Sequence, residues 1–195
     1  MDLQHLGDAH DHWKGALFEH LKRAGVLRDL TIDRMATDHA GWTEADFRLY
    51  ARLLRVEPRQ IIRDDRTLAS RKNYFAELVH SGDLFLDPDT GIGSGSPIAR
   101  YVKRKELAEL LGQARGSVIA VYQHVRGNTR ERVDGCLRAL GGDIDGVSWC
   151  SYESGAGAIL FFSKSERRIA SIVGAFGKLL GRHAERKVRT GRCRR

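Results

Sequence analysis

Three short stretches of this chain carry side chains suited to chemistry. Asp87-Pro88-Asp89-Thr90-Gly91 sets two carboxylates around a proline, with a threonine and a glycine behind them. Tyr122-Gln123-His124 joins an aromatic ring, an amide and an imidazole. Gly7-Asp8-Ala9-His10-Asp11-His12-Trp13-Lys14 brings together carboxylates, imidazoles and an ammonium. Asp87 and Asp89 could accept from an amine, and His124 could take a proton near neutral pH. Gln123 could pair with an amide or a base edge, and Tyr122 could stack on a ring. Lys14 could hold a carboxylate or a phosphate. His10, Asp11 and His12 are all potential metal ligands, but their spacing is no known ligand pattern. Each stretch also has a plainer reading: a turn with solvated aspartates, a strand cap at His124, a core ring at Tyr122, a solvated Lys14.

What could place these groups together is a sheet edge. Leu84-Phe85-Leu86 is apolar and too short for a helix, which predicts a buried strand. Pro88 has no N–H to give a neighbour, so that strand must end there. Gly116 to Tyr122 is the most hydrophobic strand candidate, and it delivers Tyr122, Gln123 and His124 at its carboxyl end. Consecutive parallel strands often lie side by side, and open α/β sheets bind ligands beyond the carboxyl ends of their strands. The aspartates and His124 are therefore expected to share one pocket on one rim.

The rest of the pattern alternates. Trp13, Leu17, Leu21 and Ala24 form a helical stripe over 12–24 that stops at Gly25. Strands are expected at 30–36 and 60–63, and helices from Thr43 to about Arg55 and over 68–80. Further helices are expected at 102–113, from Asn128 or Thr129 to Leu140, and at 165–187. Strands at 147–152 and 158–162 flank Ser154-Gly-Ala-Gly157, a hairpin signal. Alternating strands and helices predict an α/β fold with a mostly parallel, Rossmann-like sheet flanked by helices. A C-terminal antiparallel hairpin and a closing helix complete it.

With 195 residues, 42% hydrophobic and 30% charged, the chain suits one domain over 1–181. The net charge of +8 is uneven. Arg182, Arg186, Lys187, Arg189, Arg192, Arg194 and Arg195 face only Glu185, so 182–195 reads as a basic C-terminal tail that could grip RNA or DNA through phosphates. Three cysteines form no disulfide framework or metal motif. Without a signal pattern or a bilayer-length apolar run, cytoplasmic residence and no membrane partner are expected.

On these motifs the chain resembles an uncharacterised bacterial group related to class I S-adenosylmethionine-dependent methyltransferases. Members carry a strand ending in Asp-Pro-Asp-Asn/Thr-Gly and another ending in Tyr-Gln-His, with Arg71-Lys-Asn-Tyr-Phe75 upstream here. The layout is more distantly similar to the J-type 23S ribosomal RNA adenine-N6 methyltransferases and the three-Cys-motif partner proteins. In the J-type pattern, Gly7, Asp8, Asp11 and Lys14 match an opening motif, and Asp87-Pro88-Asp89-Thr90 falls on the catalytic motif. The resemblance implies S-adenosylmethionine as cofactor, met by Lys14, Asp8, Asp11 and Asp38. It implies Asp87, Asp89 and His124 as catalytic groups, and Pro88, Thr90, Gly91, Tyr122 and Gln123 against a nucleic-acid substrate. Thr90 departs from the family's stacking aromatic, and Ile32-Asp-Arg-Met-Ala-Thr-Asp38 stands where a glycine-rich cofactor loop is expected. Two alternatives therefore stay open. One is a non-catalytic nucleic-acid-binding module of the same fold. The other is a metal-dependent nuclease or phosphodiesterase holding Mg²⁺ or Mn²⁺ on Asp87, Asp89 and His124.

Overall fold

A computed structural model describes residues 3–35, 41–63, 74–75, 78, 80–93, 100–114, 116–141 and 143–193. The chain opens with α1 (Ala9–Arg23), whose N-cap Asp8 accepts from the backbone N–H groups of His10 and Asp11. This cap satisfies two of the donors that every helix start leaves open. α2 (Glu44–Leu54) starts at Thr43, which forms a reciprocal capping box with Asp46. Gly15 lets the two helices touch: a Cβ there would lie 1.9 Å from the Leu53 carbonyl oxygen.

Six strands form one sheet in the order β1-β2-β5-β7-β6-β8. These are β1 (Thr31–Asp33), β2 (Leu84–Leu86), β5 (Ile119–His124), β6 (Ser148–Ser154), β7 (Gly157–Ser163) and β8 (Val188–Arg192). The expectation of a mostly parallel sheet gives way to a mixed one. β1, β2 and β5 run parallel, whereas β5–β7, β7–β6 and β6–β8 are all antiparallel. The β6–β7 hairpin inserts its second strand against β5, so the reversal starts in mid-sheet rather than at an edge.

Helices cover both faces. Phe85, Ala120, Tyr122, Ile159 and Phe161 pack with α1, α2 and α5 (Glu166–Leu180). Leu84, Leu86, Ile119, Val121, Leu160 and Phe162 pack instead with α3 (Arg104–Gln113) and α4 (Thr129–Leu140). The alternation follows from the two-residue period of a strand. Every side chain of β2 is buried, which at about 1.5–3 kcal/mol for each large apolar group explains why three residues suffice for a central strand.

Local differences from the sequence reading have identifiable causes. Residues 60–63 do not form a strand: Pro58–Gln60 is a 3-10 turn, after which Ile61 makes a single bridge to Ile32. The helix expected from 102 starts at Arg104, because Tyr101–Val102 (β4) pairs with Gly91–Ile92 (β3) in a small parallel ribbon. The last long helix ends at Leu180, where Gly181 turns the chain at φ +54°. Residues 182–193 are not a tail. A short α6 (Ala184–Lys187) leads into β8, which pairs with β6 from Val188 to Arg192. Arg189 there bonds the carboxylates of Asp134 and Glu153. Most of the helix expected over 68–80, the glycine-rich 94–96 and Asp38 lie outside the described residues. No helix among the described residues is long and apolar enough to cross a membrane.

Candidate active site at the sheet rim

β2 and β5 are neighbours with their ends in register, Leu86 opposite Val121. Past these ends, Asp87 keeps one backbone bond to the sheet, its N–H donating to the Asp33 carbonyl at 2.9 Å. Pro88 then breaks the ladder, and Thr90 crosses the end of β5, accepting from the His124 N–H at 3.0 Å. α1 approaches the same rim by its first turns. Asp11 and Lys14, three apart, share one helix face, as do His10 and Lys14, four apart. A cavity of about 570 Å³ opens between these walls, lined by Asp8, His10, Asp11, Lys14, Asp87, Pro88, Asp89, Thr90, Tyr122 and His124, with His5, Arg100, Tyr101, Arg126 and Arg132 around them. The expected meeting of the 87–89 corner with His124 is thus a feature of the structure.

The floor is a buried ion cluster. Lys14 Nζ lies 2.8 Å from Asp87 Oδ1 and 3.1 Å from Asp11 Oδ1. The Tyr50 hydroxyl donates to Asp87 Oδ2, and the Gly7 N–H donates to Asp11 Oδ2 at 3.0 Å. Lys14 Nζ also sits 4.3 Å from the centre of the Tyr122 ring, whose π-face favours a cation. Burial pulls Lys14 toward its neutral form, but the Asp87 and Asp11 carboxylates outweigh it and hold its pKa above the ordinary lysine value. Burial raises the Asp11 pKa, the Asp87 charge adding to the rise while Lys14 opposes it. Burial, then the Asp87 charge, keeps the Tyr50 hydroxyl protonated and so a donor.

Above the floor sits a polar arch. The Tyr122 hydroxyl lies 3.0 Å from His10 Nδ1 and 3.3 Å from His124 Nδ1. Burial lifts the Tyr122 pKa despite the nearby Lys14 charge. Burial lowers the His124 pKa, helped by His10 and the Arg126 charge, so at neutral pH its imidazole is uncharged and able to accept a proton.

Several expected site residues have other duties. Gln123 is fully buried and does not line the cavity. Its amide donates to the Thr90 and His124 carbonyls and accepts from the Ile92 N–H, stitching the 87–92 segment to β5. Gly91 packs against that amide at φ +120°, where a Cβ would come within 2.4 Å of it. Both hold the 87–92 segment against β5, and neither lines the cavity. Asp8 serves α1 as its cap while one edge faces the cavity. Asp89 lies 3.8 Å from the Arg100 guanidinium. His12 is exposed and does not line the cavity that His10 lines, so His10, Asp11 and His12 do not converge. Among the described residues, no three His, Cys, Asp or Glu side chains group to hold a metal ion.

The structure adds Tyr50, Arg126 and Arg132, and places His10, read from the sequence as a possible metal ligand, against the Tyr122 hydroxyl instead. No family model and no curated protein matches the chain.

Proposed function

We propose that the chain is a methyltransferase-like protein acting on nucleic acid, with the rim cavity as its working site. One observation carries the reading: Lys14, from the opening motif of the resemblance, reaches Asp87, from its catalytic motif, across 2.8 Å of buried space. The sheet supports it as well. A parallel β1-β2-β5 half followed by a hairpin whose second strand lies against β5 is in keeping with a Rossmann-like, methyltransferase-type layout. The charges suit an amino-acid end once the cluster opens: Lys14, turned from Asp11, complements a carboxylate, and the Asp11 carboxylate so released complements an ammonium. When bound, S-adenosylmethionine supplies an electrophilic methyl group. Asp87 and the Pro88 carbonyl orient the target amine, and His124, uncharged at neutral pH, takes its proton. Positioning and exclusion of water supply most of the rate in such a site.

A second reading is a non-catalytic binding module of the same fold, and two observations favour it. Asp87 is already bonded by both Lys14 and Tyr50, and among the described residues none from the turn after β1 lines the cavity. Calorimetry with S-adenosylmethionine separates the two: micromolar binding that Lys14→Met abolishes supports the enzyme. No heat at millimolar ligand, with nucleic acid still retained at low salt, leaves the module. The phosphodiesterase alternative is not carried forward, since Asp87 is tied to Lys14 and the described carboxylates and imidazoles form no ligand cluster.

A further inference from the structure

The cavity lining divides by charge and by commitment. On the acidic side, Asp11 and Asp87 are closed by Lys14, Asp87 also by Tyr50, and Asp8 by two backbone N–H groups. Asp89 has the Arg100 guanidinium at 3.8 Å. On the basic side, Lys14 is spent on its two carboxylates. Arg126 and Arg132 are different: both are exposed, and among the described residues neither side chain makes a hydrogen bond or an ion pair. They line the same cavity as His124, Arg126 from the loop after β5 and Arg132 from the first turn of α4. His10 and His124 spend their Nδ1 atoms on Tyr122, and their Nε2 atoms have no hydrogen-bond partner among the described residues.

Two uncommitted guanidinium groups beside the imidazole edges leave free donors on one side of a hollow whose carboxylates already have partners. Guanidinium forks match the oxygen geometry of a phosphate and cannot be deprotonated at physiological pH. The hollow's volume lies in the range of small-molecule and cofactor pockets, and Tyr101 and Tyr122 add ring surfaces to its lining.

We infer that Arg126 and Arg132, with the His10–His124 edge, form a phosphate subsite that seats the phosphate ester of a nucleotide unit while its base lies toward Tyr101. This inference rests on the nucleic-acid reading above and moves the phosphate contact from residues 182–195 to the cavity mouth. The segment 182–195 carries the larger formal charge, but Arg189 is consumed by Asp134 and Glu153.

The test is calorimetry of the full chain, without S-adenosylmethionine, against the four nucleoside 5′-monophosphates, the matching nucleosides, and a short oligonucleotide lacking terminal phosphates. At least one monophosphate or the oligonucleotide should bind about tenfold or more tighter than the nucleosides, the effect of one charge-assisted contact. The Arg126→Gln/Arg132→Gln variant should lose that preference. It should melt like the parent, because neither side chain has a partner to lose among the described residues. An oligonucleotide response identifies a backbone diester, and a response to monophosphates alone identifies a monoester. Equal affinity for nucleosides and phosphates, or an undiminished preference in the double variant, overturns the subsite. Phosphate-dependent binding by a protein that ignores S-adenosylmethionine upholds the subsite and rejects only the enzyme. Cofactor binding without phosphate preference does the reverse.

Discussion

Lys14→Met removes the only cation that, among the described residues, is bonded to the two buried carboxylates beneath the cavity. Lys14, Asp11 and Asp87 are 4%, 1% and 1% exposed, so solvent cannot take over the lost attraction. Removing one partner of such a buried pair costs about 3–5 kcal/mol, chiefly because the remaining charge is stranded. Against a typical total of about 5–15 kcal/mol, that is a large share of the stability. For a domain of this size it corresponds to a fall in Tm of about 6–20 °C, and to a urea midpoint lower by about 1 M or more. Circular dichroism melts and urea titrations at pH 7 read both. The deficit should shrink as the pH falls and the Asp11 carboxyl, whose pKa burial already raises, takes a proton. Lys14→Met/Asp87→Asn should recover part of the loss, because it discharges Asp87 and leaves only Asp11 without its cation. In the parent, Lys14 titrates above its ordinary 10.5. Its contribution is therefore fully present below pH 10.5 and fades only as pH rises through the higher folded value. A Lys14→Met protein within about 0.5 kcal/mol of the parent at pH 7, the range of ordinary surface substitutions, would refute the claim that this cluster holds the rim together.

Other perturbations probe the surroundings. Gln123→Leu strands the Ile92 N–H, at about 1–3 kcal/mol for an unpaired buried group, and takes one of the two donors from the Thr90 carbonyl; amide exchange at Ile92 should accelerate, and an unchanged rate would deny Gln123 its clamping role. Truncation after Gly181 removes β8 and exposes the β6 edge, so the shortened chain should melt lower and aggregate. A truncated protein as stable and soluble as the parent would contradict the pairing. At acid pH, hydrogen bonds from Arg55 lower the Glu19 pKa and those from Thr43 lower the Asp46 pKa. Their contributions are present above the ordinary 4.5 and 3.8 and vanish as pH falls through the lower folded values. Glu19→Gln/Asp46→Asn should accordingly flatten the acid limb of the stability curve, and an unaltered limb would show that these exposed bonds contribute nothing.

Much of the architecture was legible because its signals are local. Thr43 with Asp46, Asn128 before α4 and the 154–157 turn each state their role within a few residues. The Asp87–His124 rim followed from two adjacent parallel strands. Long-range choices were not legible. That β7 rather than β6 lies against β5 depends on pairing across the whole sheet, and either order satisfies the hairpin. β8 was obscured by its own arginines: an edge strand is half exposed, so its pattern reads as a solvated charge run, and the partners of Arg189 lie 55 and 36 residues away. Tyr50 sits on a helix stripe like any core aromatic, and nothing near it announces Asp87, 37 residues later. Gln123 misled for a related reason. A polar side chain at a strand end looks available for recognition, yet its amide is taken by the backbone of the crossing segment and of β5 itself.

The Tyr122 hydroxyl owns a single hydrogen but faces two Nδ1 atoms, so it can be the donor in only one of these contacts. The other requires the hydrogen to reside on an imidazole. A neutral ring of that kind has a bare Nε2 lone pair, whereas a neutral ring accepting from Tyr122 carries its hydrogen on Nε2. When both contacts form, the histidines differ by one proton position at any instant, and exchanging their characters takes a rotation of the O–H bond together with a shift of each ring's hydrogen between Nδ1 and Nε2. Whatever enters the hollow then meets a paired giver and taker of protons whose order the phenol sets.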